Sequence, residues 1–144
     1  MTISIGSDHA GFEYKQKLIE FMIGKGIQVI DHGTDSDRSA DYPDHVHPVA
    51  RDVEEEEATF GVVLCGSGNG VAMTANKHQS IRAALCWNRE LAELGRRHNN
   101  ANVLALPARF ISYDLAQELF EVFISTPFEG GRHLRRVLKM PVKC

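Results

Sequence analysis

Short apolar segments alternate with longer amphipathic segments along the whole chain. Five of the short segments have the length of strands that lie buried in a sheet, and the run over residues 60–64 is the one most typical of a buried strand. The five segments span residues 2–6, 27–31, 60–64, 82–86 and 102–106. Because helical patterns separate the strands, the chain is predicted to adopt an α/β fold, a Rossmann-like, doubly wound, five-stranded parallel sheet with helices on both faces.

The remaining segments carry apolar residues three or four positions apart, which is the period of a helix. Their predicted spans are 10–24, 43–57, 70–77, 88–98, 112–124 and 130–140. The apolar face of the first helix is predicted to comprise Phe12, Ile19, Met22 and Ile23. Pro48 should break the second helix unless it lies in the first turn, because proline lacks a backbone N–H.

Length and composition narrow the class of protein. With 144 residues, 43% of them hydrophobic, the chain is predicted to form a single domain over residues 1–144, in which residues 128–144 form a C-terminal basic helix and tail. The net charge of −3 argues against a nucleic-acid partner, and no apolar run reaches the roughly 18 residues of a membrane span. The three cysteines lack a CxxC pair and no signal peptide precedes the first strand, so we expect a cytoplasmic protein without disulfides.

The third strand is followed by Cys65 and the loop Gly66-Ser67-Gly68-Asn69-Gly70. Glycines in such a loop let backbone N–H groups point toward an anion. The GxGxG spacing, with no acidic residue after the next strand, disfavours a dinucleotide-binding loop, and the lack of a following Gly-Lys-Ser/Thr excludes a P-loop. Two interpretations remain. The loop is either an anion hole for an oxyanion formed during a reaction, or a turn that only permits close packing.

Cys65 and the histidines each have a structural and a functional interpretation. Cys65 is either a small buried hydrophobe or a reactive thiol whose thiolate form the loop amides stabilise. His98 closes its predicted helix, where it is either a cation near the helix dipole or an acid–base group. His9 follows Asp8 at a strand end, where packing explains a polar pair less readily.

Two further clusters bear on metal and phosphate binding. His45 and His47 have the spacing of a metal pair on a strand, but no third ligand stands out, so no metal site is predicted. Arg132 and Arg136 lie four residues apart and therefore share a helix face. Adjacent guanidinium groups repel each other unless an anion lies between them, so this face is either a phosphate site or a solvated basic surface.

Five motifs together resemble the ribose-5-phosphate isomerase type B family, which includes isomerases of ribose, allose and galactose phosphates. The motifs are Ser7-Asp8-His9-Ala10-Gly11-Phe12, Asp41-Tyr42-Pro43, Cys65-Gly66-Ser67-Gly68-Asn69-Gly70, Arg97-His98-Asn99-x-x-Asn102-Val103 and Phe128-Glu129-Gly130-Gly131-Arg132-His133-x-x-Arg136-Val137. They occur in the family's order and span nearly the whole chain. The resemblance implies a sugar-phosphate isomerase that uses no metal and no other cofactor.

The resemblance also implies roles for residues of the glycine loop. Cys65 matches the base that removes a proton from the carbon beside the carbonyl, since Val71 stands where some family members carry a glutamate. Ser67 matches a residue that assists proton movement between the two substrate oxygens. The oxyanion hole matches the backbone amides of Gly66, Gly68, Asn69 and Gly70.

Outside the loop, the resemblance implies that His98 opens the furanose ring and that Asp8 acts on the same ring atoms. The residues that match phosphate ligands are His9, Arg109, Arg132 and Arg136. The residues that match sugar contacts are Tyr42 and Asn99.

The expected reaction is the reversible aldose–ketose isomerisation of ribose 5-phosphate and ribulose 5-phosphate through an enediolate. One alternative is isomerisation of a six-carbon sugar phosphate, and another is a non-catalytic module that binds sugar phosphates. The resemblance further implies a homodimer, or a tetramer built from it, with a shared active site. In that assembly His98 and Asn99 of one chain reach the Cys65 loop of the other.

Overall fold

The structure, a computed structural model, describes residues 1–143 and contains five strands and six helices. In chain order these are β1 (Thr2–Ser7), α1 (Phe12–Gly24), β2 (Gln28–Asp31), α2 (Tyr42–Glu54), β3 (Phe60–Cys65), α3 (Asn69–Ala75), β4 (Ala83–Leu85), α4 (Arg89–Asn99), β5 (Val103–Pro107), α5 (Tyr113–Ser125) and α6 (Arg132–Val137). The alternation of strands and helices agrees with the sequence pattern. Cys144 and the end of the predicted tail lie outside the described residues.

The five strands form one parallel sheet in the order β2-β1-β3-β5-β4. The chain moves outward from β1 to β2 and then crosses to the other side of β1 to form β3. The strand order therefore reverses between β1 and β3, where open α/β sheets bind their ligands. Ser7 pairs with Leu64 and Cys65 pairs with Pro107, so the carboxyl ends of β1, β3 and β5 lie side by side.

Alternate residues of each central strand pack on opposite faces of the sheet. One face, with Val62 and Leu64, packs against α1, α4 and α5, while the other face, with Val63 and Cys65, packs against α2 and α3. Residues of α5 such as Phe120 are fully buried on the first face. The prediction of a doubly wound fold with helices on both faces is confirmed. No helix within residues 1–143 combines the length and apolarity that crossing a bilayer requires.

The prediction for the buried face of α1 is partly wrong. The buried face of α1 runs through Lys15, Leu18 and Met22, which are three or four residues apart. Ile23 lies outside this face and is 62% exposed. The Lys15 side chain is fully buried. Its ammonium group lies 2.9 and 3.0 Å from the two carboxylate oxygens of Asp31, which compensates its charge.

Two other helix predictions also need correction. Pro48 lies inside α2 and not in its first turn, where Pro43 stands. The free energy gained by burying Val46 and Val49 against the sheet exceeds the free energy lost with the backbone hydrogen bond that Pro48 removes. Helix α6 is shorter than the predicted 130–140. Gly130 and Gly131 have positive φ values of 67° and 54°, so the helix begins only at Arg132, and it ends at Val137.

Candidate active site

The turn after β1 fixes two of the predicted site residues. Asp8 is nearly buried, and its carboxylate accepts hydrogen bonds from the N–H groups of Ala10 at 2.9 Å and Gly11 at 3.1 Å. His9 accepts a hydrogen bond at Nδ1 from the N–H of Ala40 at 3.2 Å. When neutral, the His9 ring therefore carries its proton on Nε2 and can donate it to a ligand.

The loop after β3 folds back over the Cys65 thiol. The N–H of Gly68 donates a hydrogen bond to the Cys65 Sγ atom at 3.2 Å. Gly68 has φ of 76°, and a Cβ atom there would lie 2.4 Å from Leu85 Cδ1 and 3.2 Å from the Pro107 nitrogen. Both the backbone conformation and the space therefore require glycine.

The loop also positions a hydroxyl group and an arginine. Ser67 is exposed, and its Oγ atom accepts a hydrogen bond from the N–H of Asn69 at 3.2 Å. The Arg109 N–H donates to the Gly66 carbonyl oxygen at 3.0 Å, which ties the residue after β5 to the loop after β3. Two loop amides thus hold the site's own side chains, Cys65 and Ser67.

These residues surround two neighbouring cavities at the carboxyl ends of the strands. The first, of about 500 Å³, is lined by Asp8, Tyr42, Cys65, Gly66, Ser67, Gly70, Arg109 and Phe110. The second, of about 550 Å³, also has Asp8 and Tyr42 in its lining and adds His9 and Asp41. We call the predicted site residues around these two cavities, together with the rest of the glycine loop, the strand-end group.

The other predicted site residues form a separate helix-end group, which comprises His98 and Asn99 at the end of α4 and Arg132 and Arg136 on α6. None of the four lines either strand-end cavity. Asn99 instead lines a third cavity, of about 580 Å³, which Arg82 and the tail residue Met140 also line. Within one chain, the predicted residues are therefore divided between two places.

Three residues of the helix-end region had no role in the sequence predictions. The imidazole ring of His133 stacks on that of His98, with ring centres 4.2 Å apart and an angle of 11° between the planes. Glu129 Oε1 accepts a hydrogen bond from Arg97 Nε at 2.6 Å. All three lie within the motifs that carry the family resemblance, but the side-chain pairing depends on how α6 docks on α4.

Comparison with known proteins identifies the family. A model of the ribose/galactose isomerase family matches residues 3–140 of the chain. The chain belongs to the ribose/galactose isomerase family. It is 38% identical to ribose-5-phosphate isomerase B of Escherichia coli over 94% of this chain and 91% of that protein. It is 40% identical to the probable ribose-5-phosphate isomerase B of Mycoplasma pneumoniae over 96% and 91%, respectively.

Solved structures of ribose-5-phosphate isomerases superpose on this member of the isomerase family. The Thermotoga maritima enzyme gives a TM-score of 0.95 at 50% identity and covers 97% of both chains. The Mycoplasma genitalium ribose-5-phosphate isomerase B, solved with ribulose-5-phosphate bound, gives a TM-score of 0.92 at 39% identity and covers 96% of this chain and 93% of that one.

Two groups of histidines in this isomerase-family chain have the residue types of a metal site. His45 Nδ1 lies 2.8 Å from the His32 carbonyl oxygen, and His47 Nδ1 lies 2.8 Å from His78 Nε2, so the two predicted candidates bind different partners. Ligand atoms of His98, Glu129 and His133 lie within 4.8 Å of one another. However, the rings of His98 and His133 are stacked, so their nitrogen lone pairs lie in parallel planes. A tetrahedral metal ion needs lone pairs that converge on it.

The two cysteines of the described residues are both free, but they differ in environment. Cys65 lines a cavity, whereas Cys86, which directly follows β4, is fully buried. Burial raises the pKa of the Cys86 thiol to about 12, so this thiol stays protonated and unreactive near neutral pH. Cys65 is therefore the thiol whose surroundings suit chemistry.

Proposed function

We propose that this chain catalyses the reversible isomerisation of ribose 5-phosphate and ribulose 5-phosphate. The observation that carries the proposal is the Cys65 thiol, which lines a strand-end cavity and accepts the N–H of Gly68. Relatives named ribose-5-phosphate isomerase B, one of them solved with ribulose-5-phosphate bound, support the choice of substrate. A thiol base and an acid–base histidine also argue against a module that only binds sugar phosphates.

The first step is ring opening, because ribose 5-phosphate is mostly a cyclic furanose. His98 gives a proton to the ring oxygen, while the Asp8 carboxylate accepts the proton of the C1 hydroxyl, whose oxygen becomes the aldehyde oxygen. The Asp8 carboxylate is suited to this task, because two backbone N–H groups fix its orientation. The C–O bond of the ring breaks, and an open-chain aldose with a carbonyl at C1 results.

The second step is proton transfer between neighbouring carbons. The Cys65 thiolate removes the C2 proton, and the electron pair of that C–H bond forms the C1–C2 double bond of an enediolate. The thiol then returns the proton to C1 and a carbonyl forms at C2, so the step needs no external oxidant. A positioned base contributes about 10²–10⁴-fold to the rate.

The enediolate oxygens need donors, because negative charge develops there. The backbone amides of Gly66, Gly68, Asn69 and Gly70 are the proposed donors, and each well-aimed donor contributes roughly 3–4 kcal/mol in comparable sites. The N–H groups of Gly68 and Asn69 bond Cys65 Sγ and Ser67 Oγ here, so they must exchange these partners for the substrate oxygens. Ser67 moves the proton between the two oxygens. Tyr42 and Asn99 contact the sugar.

The phosphate group supplies binding energy away from the reacting carbons. His9 and Arg109 of the strand-end group bind it, together with Arg132 and Arg136. Arg132 and Arg136 lie outside the cavities that Cys65 lines, so we propose that a second subunit provides them. The same argument applies to His98 and Asn99.

The proposed assembly is therefore a homodimer with shared sites, or a tetramer of two such dimers. Apolar side chains near the helix-end group support association: Leu134 is 45% exposed, Leu138 is 68% exposed and Met140 is 48% exposed. A partner surface over the shallow strand-end cavities would also exclude water from the enediolate.

The function is tested by offering ribose 5-phosphate, allose 6-phosphate and galactose 6-phosphate in parallel and following formation of the ketose. We expect the highest kcat/KM for ribose 5-phosphate and loss of activity in Cys65→Ala. A higher kcat/KM for a six-carbon substrate would select the hexose phosphate alternative. Binding of all three without turnover would instead support the non-catalytic module.

A further inference from the structure

The His98 ring, to which the proposed function assigns ring opening, rests on a second aromatic ring. His133 stacks on it in parallel, with ring centres 4.2 Å apart and an angle of 11°. Only 12% of the His133 side chain is exposed. The stack joins the last turn of α4 to the first turn of α6.

Glu129, in the loop before α6, and Arg97, on α4, hold this arrangement. Glu129 donates its N–H to the Arg97 carbonyl oxygen at 3.1 Å, and its carboxylate accepts from Arg97 Nε at 2.6 Å. The other carboxylate oxygen lies 3.5 Å from His133 Nε2. The Arg97 guanidinium nitrogen Nη1 in turn lies 3.3 Å from Oε1 of Glu93 on the same helix. The His133 ring is therefore anchored independently of His98.

Burial and the surrounding charges also affect the protonation of the His133 ring. Partial burial lowers the pKa of His133, and the neighbouring His98 and Arg132 lower it further. Arg136 acts in the same direction, and Glu129 opposes it. The pKa of His133 therefore lies below its ordinary value, so this ring is harder to protonate than a free imidazole.

We propose that His133 is a positioning residue for His98. It fixes the plane of the His98 ring by stacking, so that the ring nitrogen is aimed at the furanose oxygen when the ring opens. This inference rests on the proposed isomerase function and adds a residue to it. His133 touches no reacting atom, and the enediolate step on an open-chain substrate does not depend on it.

The experiment separates ring opening from enediolate formation. Turnover of ribose 5-phosphate requires both steps. Exchange of the C1 hydrogens of ribulose 5-phosphate with D₂O, followed by NMR, requires only the second, because this ketose is open-chain. His133→Ala should lower kcat for ribose 5-phosphate about tenfold, the size expected for losing a stacked pair and the alignment it gives. KM should stay within about twofold of its original value, and so should the exchange rate.

His133→Phe is the decisive comparison, because it keeps a stacking ring without a titratable nitrogen. It should recover most of the ribose 5-phosphate turnover that His133→Ala loses. Arg135→Ala, an exposed position on the same helix, is the matched control and should leave both rates unchanged. If His133→Ala does not fold, as judged by its melting curve, His133→Gln replaces it in the comparison with His133→Phe.

Two outcomes would overturn the proposal. One is an equal loss of turnover and C1 exchange in the variant without a ring, which would indicate a general binding or folding role. The other is a His133→Phe enzyme as slow as that variant. Failure of the proposed function itself is distinguishable, because the unmodified chain would then show neither turnover nor exchange.

Discussion

Gly70 provides a perturbation that should separate activity from stability. It lies in the first turn of α3, outside the left-handed region, so alanine there should favour the helix by up to about 1 kcal/mol. The added Cβ atom, however, would lie 2.4 Å from Tyr42 Cζ and 2.7 Å from the Tyr42 hydroxyl oxygen. Normal carbon contacts are about 3.5–4.0 Å, so the phenol ring must move by about 1 Å or more.

The two consequences of this movement differ in size. Tyr42 is only half-buried and its ring tip can swing away, so the melting temperature of Gly70→Ala should change by no more than about 2–4 °C. The same ring lines both strand-end cavities, and a displacement of about 1 Å in a site can cost up to 10²-fold in rate. We therefore expect kcat/KM for ribose 5-phosphate to fall by about 10–100-fold.

Gly24→Ala is the matched control, because it adds a methyl group to the last residue of α1 with no atom within 4 Å. It should leave kcat/KM unchanged. In a Tyr42→Ala background, Gly70→Ala should cost no further activity, since the clash has been removed. A Gly70→Ala enzyme with undiminished kcat/KM, or an equal loss in both backgrounds, would refute the reasoning.

Three further predictions concern the proposed roles. Cys65→Ser keeps an acceptor for the Gly68 N–H but no thiolate, so turnover should fall about 10²-fold or more with an unchanged melting curve; near-normal turnover would eliminate the thiol as the base. Arg136→Ala should mainly raise KM in steady-state kinetics, because a phosphate contact exists in the ground and transition states alike; a loss confined to kcat would contradict this role. Co-refolded Cys65→Ala and His98→Asn chains should recover up to about a quarter of the original activity if sites are shared, and only background activity if both residues belong to one chain.

Much of the fold follows from local sequence signals. The short apolar runs identify all five strands, and Asn88 is a residue type that favours an N-cap, which it forms at the start of α4 by accepting the Leu91 N–H at 2.9 Å. The sheet order could not be obtained in this way, because it depends on where each crossover lands. Lys15 was missed for a similar reason, since its burial requires Asp31 from a different element.

The strand-end group was predictable because the carboxyl ends of parallel strands meet at one edge. Asp8, Cys65 and Arg109 follow three adjacent strands, so their proximity is a consequence of topology. The stacking of His133 on His98 was not predictable, because it arises from the docking of α6 on α4 through Glu129 and involves no sequence period.

The sparse anchoring of α6 has a consequence for the dynamics of the chain. The helix has six residues, of which only Val137 is buried, and it follows two glycines whose surroundings are open. So short a helix has little stability of its own, and it should open locally while β3 and β5 remain intact. Its amides should exchange hydrogen long before those of the central strands. Binding of a phosphate by Arg132 and Arg136, as proposed above, would have to order this segment, so amide protection in α6 would report that binding without any turnover.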